Sequence, residues 1–94
     1  MDLTGAAAVP SLRFITRRGC HLCTEALATV RQVMAEALPG ATWEIVDVDS
    51  DPELRDEYGW DVPVVLVDGT RVAKWRVDPA ALRARLVRDM DRGP

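Results

Sequence analysis

The chain has 94 residues, 48% of them hydrophobic, and twelve basic residues against fifteen acidic ones leave a net charge of −3. That length supports one modest core and no second domain. The charge balance gives no bulk electrostatic case for nucleic acid or an anionic membrane as partner, and no run of 18 apolar residues is present to span a bilayer.

The opening MDLTGAAAVP carries an aspartate where a secretory signal would be basic, and its apolar run is short. No export signal is read there, and a cytoplasmic location is expected. Residues 1–10 and 91–94 are expected to be flexible. From Ser11, SLRFIT alternates Leu12 and Phe14 with Arg13 and adds Ile15, which predicts a first strand ended by Arg17-Arg18-Gly19. Cys23, Ala26, Leu27, Val30, Val33, Met34, Ala37 and Leu38 then recur at spacings of three and four, predicting an amphipathic helix stopped by Pro39-Gly40.

Thr42 to Asp49, TWEIVDVD, is rich in β-branched residues and predicts a second strand. A short helix follows, with Ser50 or Asp51 as its cap and Pro52 in its first turn, running to about Tyr58 and Gly59. Val64–Val67 and Arg71–Trp75 flank Asp68-Gly69, a dipeptide suited to the positive φ angles of a tight hairpin turn. Asp78-Pro79 opens a last helix whose inner stripe is Leu82, Leu86 and Met90. The order β-α-β-α-β-β-α predicts an α/β fold, a four-stranded mixed sheet with helices on both faces.

The only two cysteines stand three apart in RRGCHLC, at the start of the first long helix. In a reducing compartment such a pair is more often redox-active or metal-binding than a structural staple. Residues so spaced lie about 5 to 6 Å apart on one helix face, a separation a disulfide tolerates. A closed zinc site wants four ligands and only His21 is at hand besides the two thiols; haem attachment requires a histidine after the second cysteine. Neither pattern is met.

Cys20 sits where unpaired N–H groups, the helix dipole, Arg17 and Arg18 all favour a thiolate. Lowering a thiol from about 8.5 to about 7 raises its thiolate fraction at neutral pH roughly fifteenfold, while the fall in intrinsic nucleophilicity takes back about fivefold. The larger benefit is to Cys20 as a leaving group. Cys23, deeper on the apolar face, is expected to keep the higher pKa and to act as resolving thiol.

Strand, C-x-x-C at a helix start, strand, short helix and then DVPVVLVDG together resemble the glutaredoxin and thioredoxin superfamily across nearly the whole chain, and most of all small bacterial glutaredoxin-like proteins. The resemblance implies a thioredoxin-like fold and a thiol–disulfide oxidoreductase with Cys20 and Cys23 as its catalytic pair. It implies a cis bond before Pro63 and a Val62 backbone that pairs with extended substrate. Arg17, Gly19, His21, Val62 and Pro63 are the substrate-binding candidates, and no metal ligand is assigned.

Glutaredoxins commonly carry C-P-Y-C, a threonine two before the cis-proline and a Gly-Gly turn; here stand Cys20-His21-Leu22-Cys23, Asp61 and KWRVDP. The expected cosubstrate is therefore a low-molecular-weight thiol left open between glutathione, mycothiol and bacillithiol, with no tightly bound cofactor. Partners are expected to be a disulfide-containing protein or small thiol and a recycling reductase, with the chain itself monomeric. The other class of reading is an iron–sulfur cluster-binding protein or a non-catalytic thioredoxin-like adapter. Of the tryptophans, Trp43, Trp60 and Trp75, Trp60 stands nearest Pro63 in sequence and is the candidate to line the site.

Overall fold

The computed structural model describes residues 9–91, with side chains through residue 88. Its elements are β1 Leu12–Thr16, α1 His21–Ala37, β2 Glu44–Asp47, α2 Pro52–Tyr58, β3 Val64–Val67, β4 Thr70–Lys74 and α3 Pro79–Asp91, in the order the sequence implies. The terminal segments 1–8 and 92–94, expected to be flexible, lie outside the described residues; Pro10 is described and is buried.

Strand order is β2-β1-β3-β4. β1 runs parallel to β2, as a helical crossover requires, and antiparallel to β3, which forms the hairpin with β4. Phe14 stands opposite Val65 and Leu12 opposite Val67, whereas Ile15 stands opposite Val64. Side chains alternate across a strand, so these pairs populate two faces. Leu12, Phe14, Val65 and Val67 pack with Ala26, Val30, Val33 and Met34 of α1 and with Leu82 and Leu86 of α3. Ile15, Val64, Leu66 and Val48 form the second cluster, against which Leu54 and Tyr58 of α2 rest. Helices thus cover both faces, and β3 is buried along its whole length.

Most boundaries follow local chemistry visible in the sequence. Of the expected α1 stripe, Leu27 and Ala37 are half-buried and the other six are buried. Asp51, not Ser50, caps α2, accepting from the Glu53 N–H at 2.8 Å, while the Ser50 hydroxyl donates to the Asp47 carbonyl. Asp78 caps α3 through the Ala80 N–H at 3.0 Å. Leu82 and Leu86 are buried beneath it; Met90 lies outside the described side chains. Asp68 and Gly69 take φ of +52° and +81°, the hairpin turn the dipeptide announces.

Two strands end earlier than their sequence pattern does. β2 covers Glu44–Asp47 rather than Thr42 to Asp49, because β1 offers partners only for those residues. The Asp47 carboxylate then accepts from the Asp49 N–H and turns the chain into a 3-10 turn, Val48–Ser50. β4 stops at Lys74 because Trp75 adopts φ +68°, outside the β region. Among the described residues no helix is long and apolar enough to cross a membrane.

Candidate redox site

The cysteine loop is shaped by Gly19, whose φ of +73° turns the chain leaving β1 into the start of α1. Cys20 is the N-cap of α1, with φ −88° and ψ 111°, rather than a residue of its first turn. From that position its Sγ accepts the Cys23 N–H at 3.1 Å, one of the donors a helix start leaves unpaired. The two sulfurs are joined as a disulfide, with Cα atoms 5.1 Å apart. Cys23 is 3% exposed on the inner stripe of α1, whereas Cys20 is half-buried.

The Val62–Pro63 bond is cis, as the resemblance implies. Pro63 is buried and leads into β3, whose first residue Val64 pairs with Ile15 near the end of β1; Val62 is half-buried. The strand carrying the chain to Cys20 and the strand starting after Pro63 are therefore neighbours in the sheet. That adjacency sets the two motifs at one end of the sheet, on its two central strands.

Arg17 links the two loops through internal contacts. Its Nε and Nη2 donate to the two carboxylate oxygens of Asp49 at 2.9 and 3.1 Å, and its Nη1 donates to the Gly59 carbonyl at 3.0 Å. Arg55 donates to the same carboxylate at 3.1 Å. Every guanidinium nitrogen of Arg17 is thus engaged within the chain, clamping the exit of β1 to the end of α2. His21 also turns away from the sulfurs, its side chain 87% exposed and its Nε2 3.2 Å from the Glu25 carboxylate one helical turn on. Asp61, at the threonine position of glutaredoxins, pairs with Arg71 at 2.9 Å.

The hydrogen bond from Arg17 holds the Asp49 carboxyl below its ordinary range, and the reverse interaction raises Arg17. A carboxylate with a depressed folded-state pKa binds fewer protons folded than unfolded. Its contribution is present above the unfolded value of about 3.9 and is lost as pH falls through the folded value. Asp49→Asn is therefore expected to flatten the decline of the urea midpoint on acidification below about pH 4, most visibly at low salt because the pair is exposed. Parallel acid limbs for the two proteins would remove Asp49 from the account.

The tryptophans divide by environment. Trp43 packs against the larger core cluster, and Trp60 is 94% exposed. Trp75 donates its backbone N–H to the Pro63 carbonyl at 2.8 Å and its indole Nε1 to the Trp60 carbonyl at 3.3 Å, with the Lys74 ammonium 4.5 Å from its ring. Trp75 thus holds both ends of the segment from Trp60 to Pro63. Neither this role nor the Asp49 hub is announced by any sequence motif. On the other side of the cysteines, toward β2, an open groove of about 450 Å³ is lined by both sulfur-bearing residues.

Residues 11–87 match the family described as Glutaredoxin-like domain (DUF836). An uncharacterized protein of Mycobacterium tuberculosis is 34% identical over 84 residues, spanning 84% of this chain and 84% of its own length. The X-ray structure of protein XcR50 from X. campestris is 31% identical with a TM-score of 0.66, covering 82% of this chain and 96% of its own. Chloroplastic thioredoxin z, 15% identical, shares the fold with a TM-score of 0.71 over 92% of this chain and 82% of its own. A family match that takes in the cysteine pair, the cis-proline and the hairpin makes this chain a member of the glutaredoxin-like family, with a thioredoxin-like fold.

Proposed function

We propose that the protein is a thiol–disulfide oxidoreductase that reduces protein or low-molecular-weight disulfides by dithiol exchange. The observation that supports this most is the asymmetry of the pair: Cys20 is the half-buried cap of α1, and Cys23 is buried one turn deeper. In the reduced protein the Cys20 thiolate attacks a substrate disulfide, forming a mixed disulfide and releasing one thiolate. Cys23 then loses its proton and attacks the Cys20 sulfur; the second substrate thiolate leaves, and the protein disulfide of the present structure remains. Two electrons pass from the dithiol to the substrate.

The Cys23 N–H, already directed at Cys20 Sγ, would stabilise the thiolate in both its attacking and its leaving role. Gly19, Val62 and Pro63 would border the substrate, whose backbone the Val62 peptide would meet. On this reading the protein acts as a monomer in the cytoplasm, recycled by a low-molecular-weight thiol such as glutathione, mycothiol or bacillithiol, or by a reductase.

The test is alkylation rate against pH in Cys20→Ser and Cys23→Ser, each retaining one thiol. Cys20 is expected to react faster at about pH 6, where an ordinary thiol is almost wholly protonated. Faster reaction of Cys23 at that pH would reverse the roles.

A further inference from the structure

The groove beside the disulfide is lined in part by Arg17, whose guanidinium nitrogens are hydrogen-bonded to Asp49 and Gly59 and whose charge acts on Asp47 without a hydrogen bond to it. The walls also include Arg18 from the cysteine loop, Asp47 from the end of β2, and the apolar Leu27 and Ile45. Arg18 is exposed, and among the described residues no carboxylate pairs with it. The half-buried Asp47 uses Oδ1 to accept the Asp49 N–H, and among the described residues no donor meets its Oδ2. Ile45, in the same lining, remains 47% exposed. A free cation, a free carboxylate oxygen and a short apolar wall thus stand together around the two sulfurs.

We propose that this groove selects a small disulfide whose carbons next to the CH2–S groups carry both an ammonium and a carboxylate, as in cystine. Arg18 receives the carboxylate, Asp47 the ammonium, and Leu27 and Ile45 cover the methylenes, which brings the substrate sulfur to Cys20. The step rests on the oxidoreductase reading and has its balance: the reduced dithiol gives two electrons to the bound disulfide, the S–S bond breaks, two small thiols depart and the Cys20–Cys23 bond forms. Arg18 and Asp47 fix which disulfide is taken; the chemistry stays with the cysteines.

Four disulfides of similar size separate the charges: cystine, cystamine with ammonium groups only, 3,3′-dithiodipropionate with carboxylates only, and neutral bis(2-hydroxyethyl) disulfide. Single-turnover oxidation of the pre-reduced protein is timed with each. Each rate is divided by that of the same disulfide with dithiothreitol, which removes differences in leaving-group acidity. Cystine is expected to lead the neutral compound by about threefold or more, the range that exposed ion pairs support.

Arg18→Ala should lower cystine and dithiodipropionate by about threefold relative to the neutral disulfide in the same variant, a ratio that cancels any change in the Cys20 thiolate fraction. Asp47→Asn, which keeps the oxygen that caps the 3-10 turn, should lower cystine and cystamine instead. About 0.5 M salt should erase both patterns. The neutral disulfide is the internal control for folding and for the thiolate fraction of Cys20. Equal normalised rates for all four, or variants that change all four alike, would overturn the groove and leave the oxidoreductase reading intact. Failure of all four and of insulin to oxidise the dithiol would overturn both.

Discussion

Cys23→Ser is expected to stop exchange half-way, leaving a long-lived mixed disulfide on Cys20, whereas Cys20→Ser should reduce exchange to the uncatalysed background. The difference follows from position. Cys20 caps α1 and can meet an external sulfur, while Cys23 is 3% exposed and is placed to reach Cys20. A serine hydroxyl is not ionised near neutral pH and has no sulfur with which to form either disulfide, so each variant removes one defined step. Incubation with an aryl disulfide followed by intact-mass measurement reads the result. A mixed disulfide that accumulates on Cys23 in the Cys20→Ser protein, and none on Cys20 in the Cys23→Ser protein, would invert the assignment.

The second large effect concerns the fold. Phe14 is the largest fully buried side chain, at 0% exposure, on the sheet face covered by α1 and α3. Phe14→Ala removes its transfer free energy and leaves a cavity, for a cost of about 3 to 5 kcal/mol. Total stabilities of single domains are about 5 to 15 kcal/mol, so this variant should be close to unfolding at ambient temperature. Ile15→Val, one residue on and facing the α2 side, should cost only about 0.5 to 1.5 kcal/mol. Urea midpoints compare them directly. Equal losses would mean that the α1/α3 face relaxes to fill the space.

Element order, the cysteine site and the cap of α3 were legible because each rests on local chemistry: apolar periodicity, a turn dipeptide or a cap-plus-proline pair. The cis bond before Pro63 came from resemblance, since nothing local distinguishes it from other Val-Pro bonds. The strand ends of β2 and β4 were not legible, because strand length depends on what the neighbouring strand offers. Arg17 illustrates the deeper limit. Its place beside the cysteines made it a substrate-binding candidate, and folding brings to it Asp49, thirty-two residues on, which meets it bidentately. A sequence gives the charge of a side chain without the carboxylate that folding brings to it. Arg18, its neighbour, has the same composition-level signature and meets no carboxylate among the described residues.

Trp75 sets stability against architecture at one residue. The Arg76 N–H to Lys74 carbonyl bond of 2.7 Å closes a tight turn over it, and its φ of +68° is one that side chains disfavour by about 1 to 2 kcal/mol. Glycine would hold the same turn without that penalty. It would also retain the backbone bond to Pro63 while losing the indole bond to Trp60. The strain therefore comes with any side chain at this position, and what the tryptophan returns for it is the indole bond that ties the turn to Trp60. Selection for that tie would therefore tolerate a backbone strain that glycine would relieve only by releasing Trp60.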